Sequence, residues 1–172
     1  MNKNNTNEKV NYFIVDSTAI IHHFLLTNEL GTKDYLIIPE SLENELKSIE
    51  AKSALTILEA EGRLIPAKPS SESLEKIITV AKKSGDYSAL SKIDLHVLAL
   101  SLDYPGSVIY SDDNAVQNVS AFLGFKVQPL HFRIKHKREY YWKCTVCGSI
   151  SYQDNETCID CGSPTKRFYK QT

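Results

Sequence analysis

Tyr12-Phe13-Ile14-Val15-Asp16-Ser17-Thr18-Ala19-Ile20-Ile21 is an apolar run that ends on a carboxylate and resumes at helical spacing. Residues 12–15 form the β-branched and aromatic run of a strand covered on both faces, and Ser17 and Thr18 are residues that begin helices. Asp16 therefore closes a buried strand. In open parallel sheets ligands bind beyond the carboxyl ends of the strands, so an acid there either holds a cation over the sheet or merely caps the next helix.

The same arrangement returns near residue 110. Ser107-Val108-Ile109-Tyr110 reads as a strand that runs into Ser111-Asp112-Asp113-Asn114 and a helix carrying Val116, Val119, Phe122 and Leu123, ended by Gly124. Between the two lie Tyr35-Leu36-Ile37-Ile38, a strand closed by Pro39, and a helix starting among Glu40, Glu43 and Glu45. Residues 51–61 and 73–83 read as helices, 64–66 as a short strand or turn, and 125–130 as a final strand. Residues 88–100 read as a deeply packed helix carrying Asp94. Ser91 and Asp94 have capping-box spacing, but Asp reaches back less easily than Glu, so Asp94 reads as an acid entering beside a core and needing a partner. Strands alternating with helices over about 130 residues predict an α/β architecture, a parallel sheet flanked by helices. His22 and His23, beside or opposite the stripe of Ile20, Ile21, Phe24 and Leu25, are assigned to no metal.

Length and composition bound the rest. The 172 residues leave room for one ordinary domain and something small. No window approaches the roughly 18 consecutive apolar residues of a membrane span, and no charged-then-apolar leader opens the sequence, so the expectation is a cytoplasmic protein without membrane contact. The expected layout is a frayed polar tail over 1–10, an α/β domain over 11–130, a basic linker over 131–139 and a cysteine module over 140–172.

Strand-end acids and helix-start acids gathered at one sheet edge would repel one another and take up protons. A divalent cation relieves this, and hard oxygen ligands suit Mg²⁺ or Mn²⁺, which share their remaining positions with phosphate oxygens. Two such ions about 3.5–4 Å apart can activate a water and stabilise the leaving oxygen in an in-line displacement at phosphorus. That is nuclease chemistry.

The order Val15-Asp16, then Pro39 with Leu42-Glu43-Asn44-Glu45-Leu46, then Asp94, then Ser111-Asp112-Asp113 resembles the acidic series of PIN-domain ribonucleases. Residues 83–94, 97–100 and 111–119 resemble the Nob family within that group, endonucleases that trim the 3′ end of small-subunit ribosomal RNA. The resemblance implies Asp16, Glu45, Asp94 and Asp113 as metal-binding acids, with Asp112 as their neighbour. Glu45 is preferred to Glu43 because the family pattern places apolar residues three before and one after, as Leu42 and Leu46 do. Asp113 is preferred to Asp112 by the family form of Ser or Thr, any residue, then Asp. Ser17 and Ser111 are implied as supporting hydroxyls, and Asp86 as either structural or substrate-touching.

Cys144-Thr145-Val146-Cys147 and Cys158-Ile159-Asp160-Cys161 are two C-x-x-C knuckles, each followed by Gly, and they hold all the cysteines. Paired knuckles supply four thiolates to a tetrahedral, closed zinc site, here one structural Zn²⁺ in a ribbon. Charge is split as well. Residues 1–130 hold 12 Lys and Arg against 17 Asp and Glu, whereas 131–172 hold 8 against 4. Arg133, Lys135, Lys137, Arg138, Lys143, Lys166 and Arg167 interleave with aromatic rings, which suits phosphates and unstacked bases. The rings could equally fill a tiny core.

The expected activity is endonucleolytic hydrolysis of single-stranded precursor RNA on a pre-ribosomal particle, leaving 3′-hydroxyl and 5′-phosphate ends as the resemblance implies, by a monomer or weak oligomer. The rival readings are a non-catalytic RNA-binding assembly factor and a general or toxin-type ribonuclease of the same fold.

Overall fold

A computed structural model describes residues 10–16, 31, 33–42, 46, 49–129 and 131–172. The expected tail, the helix after Asp16 with His22 and His23, and both Glu43 and Glu45 lie outside the described residues.

Among the described residues five parallel strands form the sheet of the body: β1 (Asn11–Val15), β2 (Asp34–Pro39), β3 (Leu64–Ala67), β4 (Val108–Tyr110) and β5 (Lys126–Gln128), in the order β3-β2-β1-β4-β5. β1 sits at the centre, with Ile14 opposite Ile37 on one side and Ile109 on the other. All three side chains are fully buried, which is why residues 12–15 carry no polar alternation. The chain winds one way from β1 through β2 to β3, and the other way from β4 to β5. The strand order therefore reverses between β1 and β4, and that crevice is where parallel sheets bind ligands.

Among the described residues four helices flank the sheet: α1 (Ile49–Ala60), α2 (Ser71–Ser84), α3 (Lys92–Asp103) and α4 (Asn114–Leu123). Helix α3 lies against β1, β2 and β4, with α2 packed on it. Val97, Leu98 and Leu100 are buried in the shared core. The helix expected from residue 88 starts later, because Tyr87–Ala89 forms a 3-10 turn and Ser91 caps the α-helix proper. No helix among the described residues is long and apolar enough to cross a membrane.

The C-terminal module is an antiparallel sheet with β6 (Arg138–Cys144) between β7 (Ile150–Ser151) and β8 (Thr165–Gln171). The ladder runs from Arg138 opposite Gln171 to Cys144 opposite Thr165, so it takes in two residues that the sequence assigned to the linker. Its buried side chains are few, Trp142, Cys144 and Cys158 among the apolar ones. A module with so small a core needs a staple.

Candidate active site and cysteine centre

Asp16 follows β1 and Ser111-Asp112-Asp113 follow β4, so the two carboxyl ends that flank the crevice both carry acids. Asp16 is buried. Asp94 enters from the first turn of α3. Its Oδ2 accepts from the Ser91 amide at 2.8 Å, while the Asp94 amide donates to Ser91 Oγ at 3.2 Å. The box closes with Asp in place of the usual Glu. Burial raises the proton affinity of Asp94, the two Ser91 hydrogen bonds pull it down, and the charges of Asp113 and Asp16 push it up again. The three carboxylates thus share one electrostatic neighbourhood.

Asp113 caps α4, its Oδ1 accepting from the amides of Ala115 at 2.7 Å and Val116 at 2.9 Å. Its own amide donates to Ser111 Oγ at 3.1 Å. Asp94 and Asp113 each accept these cap bonds on a single oxygen, which orients the carboxylate and fixes where the other oxygen lies. Asp112 goes elsewhere. Its Oδ1 accepts from the His131 amide at 2.8 Å, and its Oδ2 lies 2.6 Å from His131 Nδ1. Adjacent residues at a strand end diverge, and here one faces the acids while the other ties down the chain leaving the body.

The donor chemistry of Asp16, Asp94 and Asp113 fits a hard divalent cation. Among the described residues, however, only the cysteines bring three or more ligand atoms within 4.8 Å of one another. The acids are neighbours without forming so tight a cluster.

The sulfurs do. Cys144 Sγ lies 3.5 Å from Cys161 Sγ, Cys147 Sγ 3.6 Å from Cys158 Sγ, and Cys161 Sγ 3.5 Å from Cys147 Sγ. A tetrahedron with metal–sulfur bonds of about 2.3 Å has edges of about 3.8 Å, close to these separations. No disulfide forms. The amides of Val146 and Cys147 point at Cys144 Sγ and lower its proton affinity. Hydrogen bonds from Ser163 bring Cys161 down to about 6, whereas Cys147, although helped by the Ser149 amide, is pushed up to about 12 by the three sulfurs around it. Four thiolates cannot crowd together without a cation, and a soft divalent ion removes the conflict.

Of the cations singled out by sequence, Lys135, Lys143 and Lys166 are exposed. Arg133 reaches the Val127 carbonyl, Lys137 lies over the Phe122 ring and Arg138 over Tyr169. Arg167 turns inward. Its Nη2 donates to the Gly85 carbonyl at 2.6 Å and lies 3.3 Å from Asp86 Oδ1, with the guanidinium 3.6 Å from the Tyr140 ring centroid.

Sequence reasoning missed two amides on α4. Asn118 Nδ2 donates to Asp86 Oδ2 and to the Arg138 carbonyl, and its Oδ1 accepts from the Arg138 amide. Gln117 does the same for the linker, donating to the Phe132 carbonyl and accepting from the Ile134 amide. Two buried amides inside an apolar helix were the signal, since buried polar groups need partners.

A family profile described as the PIN domain of ribonuclease matches residues 13–104. The chain is 35% identical over 159 residues to Endoribonuclease Nob1 of Methanocaldococcus jannaschii, covering 90% of this chain and 76% of the relative. It is 30% identical to Ribonuclease VapC1 of Thermoplasma acidophilum, covering 91% and 78%. Over 99 residues it is 34% identical to the 20S-pre-rRNA D-site endonuclease NOB1 of Saccharomyces cerevisiae, covering 58% of this chain and 21% of that one.

Proposed function

This chain belongs to the Nob1 family of PIN-domain endoribonucleases, and from that premise we propose how its residues divide the work of cutting RNA. The enzyme is a metal-dependent endoribonuclease acting in ribosomal RNA maturation. Its substrate is single-stranded precursor of small-subunit ribosomal RNA, in keeping with the name of the yeast relative, and it works in the cytoplasm. Asp16, Asp94 and Asp113, with Glu45 from the segment after β2, hold Mn²⁺ or Mg²⁺. Such an ion, when bound, activates water and offsets charge gathering on the phosphate.

The protein supplies placement. Asp16 is immobilised by burial at the end of the central strand, and the caps on Asp94 and Asp113 orient their carboxylates before any substrate arrives. Asp112 is the linker's anchor through His131 and supports the site from behind. Cys144, Cys147, Cys158 and Cys161 hold one structural Zn²⁺, and the exposed cations Arg133, Lys135, Lys137, Lys143 and Lys166 contact the RNA backbone, compensating for the acidic body.

The observation that carries this reading is that Asp16 and Asp113 follow the two strands flanking the crevice where the strand order reverses, with Asp94 in the first turn of α3, which packs on both strands. The test is cleavage of a small-subunit precursor fragment with Mn²⁺ and mapping of the ends. Asp16→Asn and Asp113→Asn should each abolish cleavage with RNA binding intact. Undiminished cleavage in both variants would refute the acid assignment. The match to a VapC ribonuclease gives the second reading, a general ribonuclease, which predicts cuts at many unrelated sites instead of one.

A further inference from the structure

The seam between the ribbon and the nuclease body encloses a cleft of about 390 Å³. That is within the roughly 300–1,000 Å³ of sites that hold small ligands. Both modules build it: Lys82 and Tyr87 come from the body, and Trp142, Tyr152, Gln153 and Asp154 from the ribbon. Trp142 is only 5% exposed and makes a fixed wall, whereas Tyr87 and Tyr152 are 41% and 56% exposed. Lys82 Nζ stands 5.1 Å from the Tyr87 ring centroid, whereas Lys170, near Tyr152, is paired with Glu139 at 3.0 Å.

Those groups match one kind of ligand. Aromatic rings offer a stacking surface to any planar base, and the ammonium group of Lys82 beside them suits a neighbouring phosphate. The Gln153 amide can donate and accept, and the Asp154 carboxylate, when ionised, accepts N–H groups from a base edge. A purely apolar guest would leave these polar groups unused, and a duplex would hide its base edges from them. The body wall of the cleft includes Gly85 and Tyr87, which flank the buried Asp86 in sequence.

We propose that this cleft is a nucleobase slot, holding one unpaired base of the same RNA strand whose phosphate is cut. The slot rests on the endoribonuclease function proposed above and adds a subsite to it. A base held between ribbon and body fixes the register of the strand, so the cut falls at a constant offset from that base.

The test uses full-length, zinc-loaded protein carrying Asp16→Asn, so that bound RNA stays intact. Single-stranded precursor oligonucleotides carry 2-aminopurine at successive positions, and its fluorescence is followed on binding. Quenching should peak at one position. Tyr87→Ala and Tyr152→Ala should each remove that peak and weaken binding about ten-fold, whereas Tyr152→Phe, which keeps the ring, should retain both. Zinc content is measured on each variant, and if Tyr152→Ala loses the metal, Tyr87→Ala decides. Equal quenching at every position, or a peak that survives loss of the tyrosine ring, would overturn the slot. Cleavage of the same oligonucleotides by protein with Asp16 intact reports separately on the underlying activity: cleavage without a quenching peak refutes the slot alone.

Discussion

Arg167 in β8 donates to the carbonyl oxygen of Gly85 at 2.6 Å, joining the last strand of the ribbon to the end of α2. Gly85 has φ of 78°, and a Cβ there would sit 2.7 Å from Cβ of Tyr140. The backbones of the two modules therefore touch at a residue that tolerates no side chain. Asp86, next in sequence, is 2% exposed and gathers Ser84, Asn118 and Arg167 around its carboxylate. Polar bonds to Gly85 and Asp86 thus help to dock the ribbon on the body.

Removing the guanidinium should loosen that seam. Arg167→Ala takes a charged donor from the Gly85 carbonyl and the cation from Asp86, and should lower unfolding stability by about 1 kcal/mol, below the usual range for charged hydrogen bonds because the side chain is partly exposed. Arg167→Lys should recover little, since an ammonium cannot stack flat on Tyr140 and fork to two oxygens. Gly85→Ala should cost more than either, combining positive φ with a backbone-level clash. Urea unfolding of the three variants checks the order, and a Gly85→Ala protein as stable as the parent would contradict the close approach.

Capping and ligation can be separated at Asp113. Asn is as good a cap as Asp, so Asp113→Asn should keep α4 intact while losing cleavage. Asp113→Ala should lose cleavage and about 0.5–2 kcal/mol of stability together. Paired thermal melts and cleavage assays on the two variants decide it. A stable but inactive Asp113→Ala protein would mean that the cap bonds to Ala115 and Val116 contribute nothing.

How far the sequence could be read follows from where each signal resides. The run through residues 12–15 disclosed a central strand because both faces of β1 are buried, and the cysteine spacing disclosed the thiolate cluster because the ligands lie close along the chain. Asp16 and Asp113 were legible as strand-end acids. The seam was not: Asp86 meets Asn118 across 32 positions and Arg167 across 81, and nothing local marks such pairs. Arg167 looked like one more cation in a basic tail, since sequence shows a charge and not its destination. Asp94 read as a poorer capping-box acid than Glu, yet its side chain accepts from the Ser91 amide and the box is complete.

Metal removal should be visible through one residue. Trp142 is the single tryptophan of the chain, buried between the ribbon and Gly85. Stripping the metal leaves four crowded sulfurs that must take up protons and separate, so the ribbon should unfold and Trp142 should become wet. The expected result is a red shift of tryptophan emission on chelation, together with release of one zinc per chain, reversed by adding zinc back. Emission that stays unchanged after complete zinc release would show that the ribbon holds without its staple.

Asp86 should leave its mark on the pH dependence of stability. Burial is the largest influence on its carboxyl and raises its proton affinity; hydrogen bonds from Asn118 and Ser84 and the charge of Arg167 oppose the rise, and Asp113 adds to it. Between the ordinary carboxylate value of about 3.9 and the raised folded value, the native protein binds more protons than the unfolded chain, so stability contributed by this group falls as pH rises through that window. Below the window the contribution is fully present. Asp86→Asn keeps the shape and cannot titrate, and zinc–thiolate and other carboxylate effects are common to both proteins. The difference in unfolding free energy, parent minus variant, should therefore decline from about pH 4 upward and level off once the folded group has ionised. Urea titrations of both proteins at successive pH values measure it. A difference that instead grows with pH would mean that Arg167 and the two hydrogen bonds outweigh burial, and that Asp86 sits in the seam as a stabilised anion.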